Sequence, residues 1–454
     1  MAGKTLTVAL IGRIDEALSP ENISTIPLYH IHYNLWNRLL GRNGSPAVAK
    51  SFNVSQDQLT YTFYLDEEAK FSNGRAIQAE DIKFTVDRLI AREKNGHINA
   101  KTVIGAATVN SPLSISITLK ETTPSFIYLV SSPEFGIVPR EACDSAGNVT
   151  ALVITSGAYH VENLDLKSQK FEFAKNATYR HADPAAPSKV ILLFKDSSKA
   201  MADSMAAEEA DFFELYDGSG QHILEENNGP YIAQVTKPSV STFLAAKDAI
   251  SPVQAKYIAW LFRNEFSINF ESDLEKRSRQ LLPPRSFASL DDEELATLDR
   301  EKIEKVALPS GLTIQTSRPK SPIMDLIIKF FSKFGSTVTL VGYDYKGPVH
   351  FEASGQGMNL NFPEIELNLA ILSPYAYVSA SAASKSALRD AIHEPDDAKR
   401  AGLLKKVGRE LLSDGHVIPF TIRSYVHIYN KKRIDARNIT DYDGEIPFFK
   451  IRML

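Results

Sequence analysis

The sequence has one cysteine, Cys143, in 454 residues, which excludes an internal disulfide and any cysteine-based zinc centre. It has no long apolar run either. The longest, Tyr257–Phe262 and Val190–Phe194, fall far short of the ~20 residues a bilayer-spanning helix needs, so no membrane span is expected. Charge of one sign is also missing: 51 Lys and Arg stand against 55 Asp and Glu, a formal net of -4. A nucleic-acid partner would call for a basic excess or a basic stripe, and neither is present. Hydrophobic residues at 43% and charged residues at 23% match a globular chain and exclude a disordered one.

Catalytic signatures are scarce as well. G-x-G-x-x-G, G-x-x-x-x-G-K-[ST], G-x-S-x-G and H-E-x-x-H are all absent. Ser317-Arg-Pro-Lys320 matches S-x-x-K but has no partner motif. Asp441-Tyr-Asp443-Gly444 resembles a fragment of a calcium loop, lacks its other ligand positions, and reads as a turn. His30-Ile31-His32 would share a face on a strand and could hold a metal there. The apolar spacing from Pro27 to Trp36 is helical, however, and on a helix positions i and i+2 diverge. The pair therefore reads as structural or as the rim of a pocket. No catalytic residue, metal or cofactor is expected.

What is present is strong periodicity. Leu59, Tyr61, Phe63 and Leu65 alternate with polar residues, as do Leu113, Ile115, Ile117 and Leu119, two strands with one buried face each. Between them Ala79-Glu80-Asp81 opens a helix striped by Ile82, Val86, Leu89 and Ile90. Thr155–Tyr159 is a small-residue bend before a strand pair, Val190–Phe194 a buried strand and Val253–Phe262 a helix. Asp291–Lys305 reads as a solvated helix. Leu312–Thr316, a helix striped by Ile323, Ile327 and Phe330, and Thr337–Val341 form a βαβ unit, hence a parallel pair. Asp396 or Asp397 caps a helix carrying Leu404, Val407 and Leu411, and strands at Val417–Phe420 and Tyr425–Tyr429 follow. The fold class is α/β (mixed α+β) in several lobes.

A chain of this length without a catalytic constellation points to binding, in a concave site with aromatic walls and a few polar groups. Aromatics near expected loops are Tyr29, Tyr33 and Trp36; Trp260 and Phe262; Tyr343 and Tyr345; Tyr375 and Tyr377.

The order of segments adds a resemblance. Leu35-Trp-Asn-Arg-Leu-Leu-Gly-Arg-Asn-Gly44, Pro46-Ala-Val-Ala-Lys-Ser-Phe52, Leu59-Thr-Tyr-Thr-Phe-Tyr-Leu65, Lys70-Phe-Ser-Asn-Gly74 and Ala79-Glu-Asp-Ile-Lys-Phe-Thr85 follow one another. This block resembles the family 5 extracellular solute-binding proteins, the oligopeptide-, dipeptide- and nickel-binding receptors of ABC importers. Ser156-Gly157-Ala158-Tyr159, Pro283-Pro284 and Val417-Ile-Pro-Phe420 fall in the family's order. The resemblance implies a periplasmic-binding-protein-like fold with two large lobes joined by a hinge. Domain I would take in 1–44, 155–245 and 421–454; domain II, 45–154; domain III, 246–420. Ligand would sit between domains I and III, which close by hinge motion.

The implied function is a monomeric extracytoplasmic receptor that delivers a small molecule or short peptide to ABC permease subunits. Its place would be the periplasm or the outer face of a bacterial membrane, with a lipid anchor on the precursor as an option. The start at Met1-Ala2-Gly3-Lys4 lacks the apolar core of a secretory signal, so this reading expects a mature form. The alternative is a cytosolic regulatory or sensory module on the same scaffold. A hydrolase built on Ser317 comes third.

Cleft candidates are Tyr29, His30, Trp260, Arg263, Tyr343, Ser373 and Tyr375. Tyr and Trp supply apolar walls with polar tips, and Arg263 is suited to a ligand carboxylate or to a neighbouring Glu. Two departures from the family stand out. Ala370–Ser379 replaces an acidic D-Y-P-D-P-like segment, and Phe262 stands where the family has an acid. A buried ligand ammonium left unpaired costs about 3–5 kcal/mol. The ligand is therefore expected to be other than a free-amine peptide, or the transport role to have been lost.

Overall fold

The computed structural model describes residues 4–14, 18–21, 23, 25–92, 99–215, 229–237, 240–268, 275–357, 362–373, 376–439 and 445–454. Side chains 43 and 356 are also outside the description. The candidate Tyr375 and the loop Asp441–Gly444 thus lie outside the described residues. The chain divides into two compact units, Met1–Lys237 with Tyr425–Leu454, and Pro238–Ser424.

The first unit opens with β1 (Thr5–Ile11) and α1 (Ile26–Leu35), whose first turn carries Pro27 where no backbone N–H is needed. Next come β2 (Ala49–Val54), β3 (Thr60–Leu65), α2 (Ala79–Ala91), the short α3 (Ala100–Val103), β4 (Ile104–Ser111), β5 (Ser114–Leu119) and α4 (Phe126–Ser131). Strands β2 to β5 make their own antiparallel sheet, ordered β2-β3-β5-β4. In β3 the alternation buries Tyr61, Phe63 and Leu65, and in β5 Ile115, Ile117 and Leu119. A capping box of Gln78 and Asp81 starts α2, as the acidic first turn leads one to expect.

The unit continues with β6 (Tyr159–Asp165), β7 (Lys170–Lys175), β8 (Lys189–Lys195), α5 (Ser198–Ala206), β9 (Phe212–Leu215) and β10 (Tyr231–Val235). The second unit follows as β11 (Val240–Ala246), α6 (Pro252–Glu265), β12 (Glu275–Arg277), α7 (Asp292–Asp299), β13 (Gly311–Gln315), α8 (Pro322–Ser332), β14 (Thr337–Val341), β15 (Phe351–Gly357), α9 (Pro363–Ile371), α10 (Ala382–His393), α11 (Asp397–Ser413) and β16 (Val417–Arg423). The chain then returns to the first unit as β17 (Val426–Asn430), β18 (Ile434–Asp435) and β19 (Arg452–Met453).

Among the described residues, the first unit's main sheet runs β10-β17-β9-β1-β8-β7-β6, with β1 parallel to both β8 and β9. The second unit's sheet runs β12-β16-β11-β15-β13-β14, and β13 is parallel to β14 and β15. The parallel pair expected from the βαβ pattern is therefore β13–β14. One face of this sheet packs Leu312, Ile314 and Phe351 against α6 and α8; the other packs Phe243, Ala245 and Val417 against α9, α10 and α11. Asp396 caps α11 by accepting the Lys399 N–H at 2.9 Å.

Two expectations shift. The helix in Asp291–Lys305 stops at Asp299, because only Leu295 and Leu298 bury a stripe; beyond it Glu301–Leu308 alternates its exposure and ends before Pro309. In β8 only Val190 and Leu192 are fully buried, so this strand has one core face rather than two.

The bend at Gly157 meets the end of α1. Its N–H donates to the Leu35 carbonyl at 2.9 Å, and a Cβ there would lie 2.5 Å from Asn34 O and from Leu35 C. Because those atoms are backbone, the bend requires glycine. Gly157→Ala is expected to destabilise by about 1–3 kcal/mol, the usual cost of overpacking, as a lower melting transition. An unshifted transition would mean that the bend does not sit against the helix end.

Candidate functional site

In an open α/β sheet, ligands bind beyond the carboxyl ends of parallel strands, where neighbouring strands send their connections to opposite faces. Each unit has one such point. In the first unit, α1 packs Leu28, Ile31 and Leu35 into the cluster containing Leu6, Val8 and Leu10. Helix α5, whose buried Met201 and Met205 stand outside that cluster, runs along β1 and β8. At the strand ends the Gly12 N–H donates to the Lys195 carbonyl at 2.9 Å, with Gly12 at φ 137°.

Close by, a buried polar chain joins three segments far apart in sequence. Glu214 on β9 pairs across the ladder with His427 on β17, and its carboxylate faces His427 Nε2 at 3.3 Å and His30 Nε2 at 2.7 Å. His30 Nδ1 accepts the Ile446 N–H at 3.1 Å, which places the ring proton on Nε2, donating to Glu214. Burial pushes the Glu214 carboxyl up, but the two imidazoles more than offset this and hold it at about 2. Four residues on, the Asn34 amide donates to the Ile446 carbonyl at 2.7 Å and accepts the Phe448 N–H at 2.9 Å. Residues 446–448 are thereby clipped to α1.

The histidine pair separates as helical geometry requires. His30 is fully enclosed in this chain of bonds, and His32, also fully buried, has its imidazole pushed down to about 3 by burial alone. Among the described residues no group of three or more His, Cys, Asp or Glu could hold a metal ion. Tyr29, half-buried, donates to Glu134 at 3.2 Å. Trp36, grouped with Tyr29 as a wall aromatic in the sequence, is 0% exposed and belongs to the core.

In the second unit, the chain leaves β13 for α8 on one face and β15 for α9 on the other. Gln315↔Glu352 is the last β13–β15 pair, and β15 runs on to Gly357. At this step the Glu352 carboxylate meets Lys247 Nζ at 2.7 Å and the Tyr343 hydroxyl at 3.3 Å. Lys247 also donates to the Tyr377 carbonyl at 2.7 Å, and the Tyr377 ring lies parallel to Phe243 with centroids 6.3 Å apart. Tyr343 is 53% exposed, in the loop leaving β14. Tyr377 is among the loop aromatics named from the sequence, but Lys247 and Glu352 escape a sequence reading, because no local signal joins a residue on β15 to one after β11.

The other sequence candidates sit among contacts of the helical layers. Trp260 Nε1 donates to the Asp299 carbonyl at 3.1 Å, tying α6 to α7. The Arg263 guanidinium donates to the Leu412 carbonyl at 2.7 Å, with Asp299 3.6 Å away and the Glu301 charge also acting on it. Ser373 donates to the Leu369 carbonyl at 2.7 Å at the end of α9. Ser317 is exposed on the turn after β13.

Carboxylates do occur just before the Ala370–Ser379 segment. Glu364 and Glu366 on α9 are both buried. Among the described residues neither Glu364 side-chain oxygen has a hydrogen-bond donor outside its own residue, and Arg400 Nε stands 3.7 Å off. Burial pushes this carboxyl up to about 7, which its own backbone N–H and Arg400 only partly oppose. Since the folded value lies above the unfolded 4.5, this group's contribution is fully present below about pH 4.5 and is lost as pH rises through about 7. The loss is on the order of 3 kcal/mol. Glu364→Gln is accordingly expected to melt higher than the wild type at about pH 8.5 and to converge with it near pH 4; parallel melting profiles would refute this.

Comparison with known proteins agrees with this architecture. Residues 43–256 match the family model for bacterial extracellular solute-binding proteins, family 5, middle region. A putative ABC transporter peptide-binding protein of Brucella ovis is 31% identical over 163 residues, covering 34% of this chain and 30% of that protein. The periplasmic oligopeptide-binding protein OppA of Salmonella typhimurium is 27% identical over 188 residues, 36% of this chain and 34% of that one. The chain thus aligns with about a third of the length of these relatives. Among solved structures, NikA of Brucella suis in complex with Fe(III)-EDTA superposes with a TM-score of 0.82 at 19% identity, over 99% of this chain and 100% of that one. DppA of Helicobacter pylori in complex with peptide STSA gives 0.78 at 16% identity, over 99% and 98%. Residues 43–256, a little under half of the chain, thus carry the sequence of the family 5 bacterial extracellular solute-binding proteins, and the whole chain shares the mixed α/β fold of these solved neighbours.

Proposed function

We propose that the protein is the solute-binding receptor of an ABC import system. It captures a peptide-like or other small polar solute and hands it to permease subunits. The observation that carries this reading is the family's sequence over residues 43–256 on a chain whose two α/β units each place polar groups at a parallel-strand switch point. The relatives named for peptide binding and the neighbour solved with a bound peptide support it. The reading carries no catalytic step, and it places the protein outside the cytoplasm, as a monomer.

Division into domain I (1–44, 155–245, 421–454), domain II (45–154) and domain III (246–420) belongs to the same proposal; the separate sheet of β2 to β5 supports the middle one. Tyr29, Tyr343 and Tyr375 are proposed as ligand walls, with His30, Trp260, Arg263 and Ser373 holding the elements behind them. The test is native mass spectrometry of protein purified without refolding. An extra mass released on denaturation is the expected result. A bare chain, together with no thermal stabilisation by a peptide and metabolite panel, would overturn the reading.

A further inference from the structure

We propose that the Lys247–Glu352 pair is the charged subsite of the second unit and that it takes the head of an α-amino acid, the ammonium on Glu352 and the carboxylate on Lys247. The inference rests on the receptor reading and narrows its solute to a class.

Four observations converge on it. Glu352, near the start of β15, lies at the carboxyl end of β13, where Gln315↔Glu352 closes the ladder. Its side chains are 25% and 13% exposed, so both heads are within reach of a solute yet partly desolvated. Each head is also held from a second direction: Glu352 by the Tyr343 hydroxyl at 3.3 Å, Lys247 by the Tyr377 carbonyl at 2.7 Å. Finally, Tyr343 keeps 53% of its surface exposed beside the pair, an aromatic surface open to a solute.

Charge balance selects the class. The empty pair neutralises itself at 2.7 Å. A solute with a single charge would satisfy one head and strand the other, half out of water, a loss no single contact offsets. A zwitterion replaces both partners at once. Geometry then limits its size. Two heads in contact can be bridged only by charges about 3 Å apart, as in an α-amino acid, whereas each further residue moves the ends apart by about 3.5 Å. The two ends of a peptide do not both fit. Glu352 also supplies the carboxylate for an ammonium that the segment Ala370–Ser379 lacks.

The experiment is a thermal-shift and calorimetric titration of the full chain with a ladder of charge separation. The probes are glycine, L-alanine and L-leucine, then β-alanine, γ-aminobutyrate and ε-aminocaproate, with N-acetyl-alanine and alanyl-alanine beside them. α-Amino acids are expected to bind and each added methylene to weaken binding. Glu352→Gln and Lys247→Met should each lose roughly 10- to 150-fold in affinity, the worth of a charge-assisted hydrogen bond. For N-acetyl-alanine, the Glu352→Gln change should add no further loss. The wild-type ladder needs no variant, so a variant that folds poorly leaves the test intact.

Alanyl-alanine or ε-aminocaproate binding as tightly as alanine would overturn the proposal, as would no response to any zwitterion. In the latter case a different solute released from the native protein would keep the receptor reading, and no solute at all would sink both.

Discussion

Replacing Arg88 by Met is expected to destabilise the first unit by about 3 kcal/mol, because it takes from a buried carboxylate the more buried of its two guanidinium partners. Glu21 is 3% exposed and Arg88 5%. Glu21 Oε1 takes Arg88 at 2.8 Å, Arg92 at 2.5 Å and the Ser19 hydroxyl at 2.8 Å. Arg88 in the last turn of α2 and Arg92 just past its end both also donate to the Gly147 carbonyl, at 2.6 and 2.7 Å. One acid thus fastens residues 19–21, the helix and the loop after Asp144 together.

The double change Glu21→Leu with Arg88→Met should regain most of the loss, since replacing a buried pair by apolar groups is often neutral. A chain of two units need not unfold in one step, so calorimetry should follow the transition of the first unit. A loss below about 1 kcal/mol for Arg88→Met would place the pair among weak surface bridges and refute the expectation.

Trp36→Ala should cost a comparable amount, about 3–5 kcal/mol, for a different reason. Trp36 is 0% exposed and follows α1, its N–H donating to His32 O at 3.0 Å. A Cβ on Gly136 would lie 2.6 Å from Trp36 Cβ and 3.0 Å from Cγ, so a glycine backbone lies directly against the indole. Backbone packed this closely cannot collapse into the space that alanine leaves. The indole Nε1 has no acceptor among the described residues, so Trp36→Phe, which removes that N–H and keeps most of the volume, should lose far less. Equal losses for Ala and Phe would show that the hydrogen-bonding edge, not the volume, matters.

These two predictions show where sequence is readable. Alternation in β3 and β5, the stripe on α2 and the βαβ of β13, α8 and β14 stand in the chain as periods of two and of 3.6, since burial on one face imposes them. Five spaced segments within residues 35–85 carry the resemblance to the family in the same way. Trp36 shows the limit: an indole near a helix end reads alike whether it lines a cleft or fills a core, and only the close approach of Gly136 decides.

Partners of buried charges are harder still. Glu21 with Arg88, Glu214 with His30 and His427, and Lys247 with Glu352 join residues many turns of chain apart, and each residue alone looks like ordinary surface charge. Glu364 and Glu366 read as a favourable acidic first turn, so their burial leaves no trace in the sequence.

The passage of the chain between the units has a consequence for gene architecture. Just inside the first unit, the Thr236 N–H donates to Tyr425 O at 2.9 Å, and the Tyr425 N–H donates to Thr236 Oγ1 at 2.8 Å. The exit and re-entry points are therefore hydrogen-bonded neighbours, and everything from Pro238 to Ser424 is, topologically, a cassette. Deleting it and joining Lys237 to Tyr425 through a short turn leaves β10 beside β17, already its partner in the ladder, so a genetic excision would close on itself. Insertions whose ends meet are the ones recombination can add or remove without disturbing the host, and this scaffold is built to exchange one half while keeping the other.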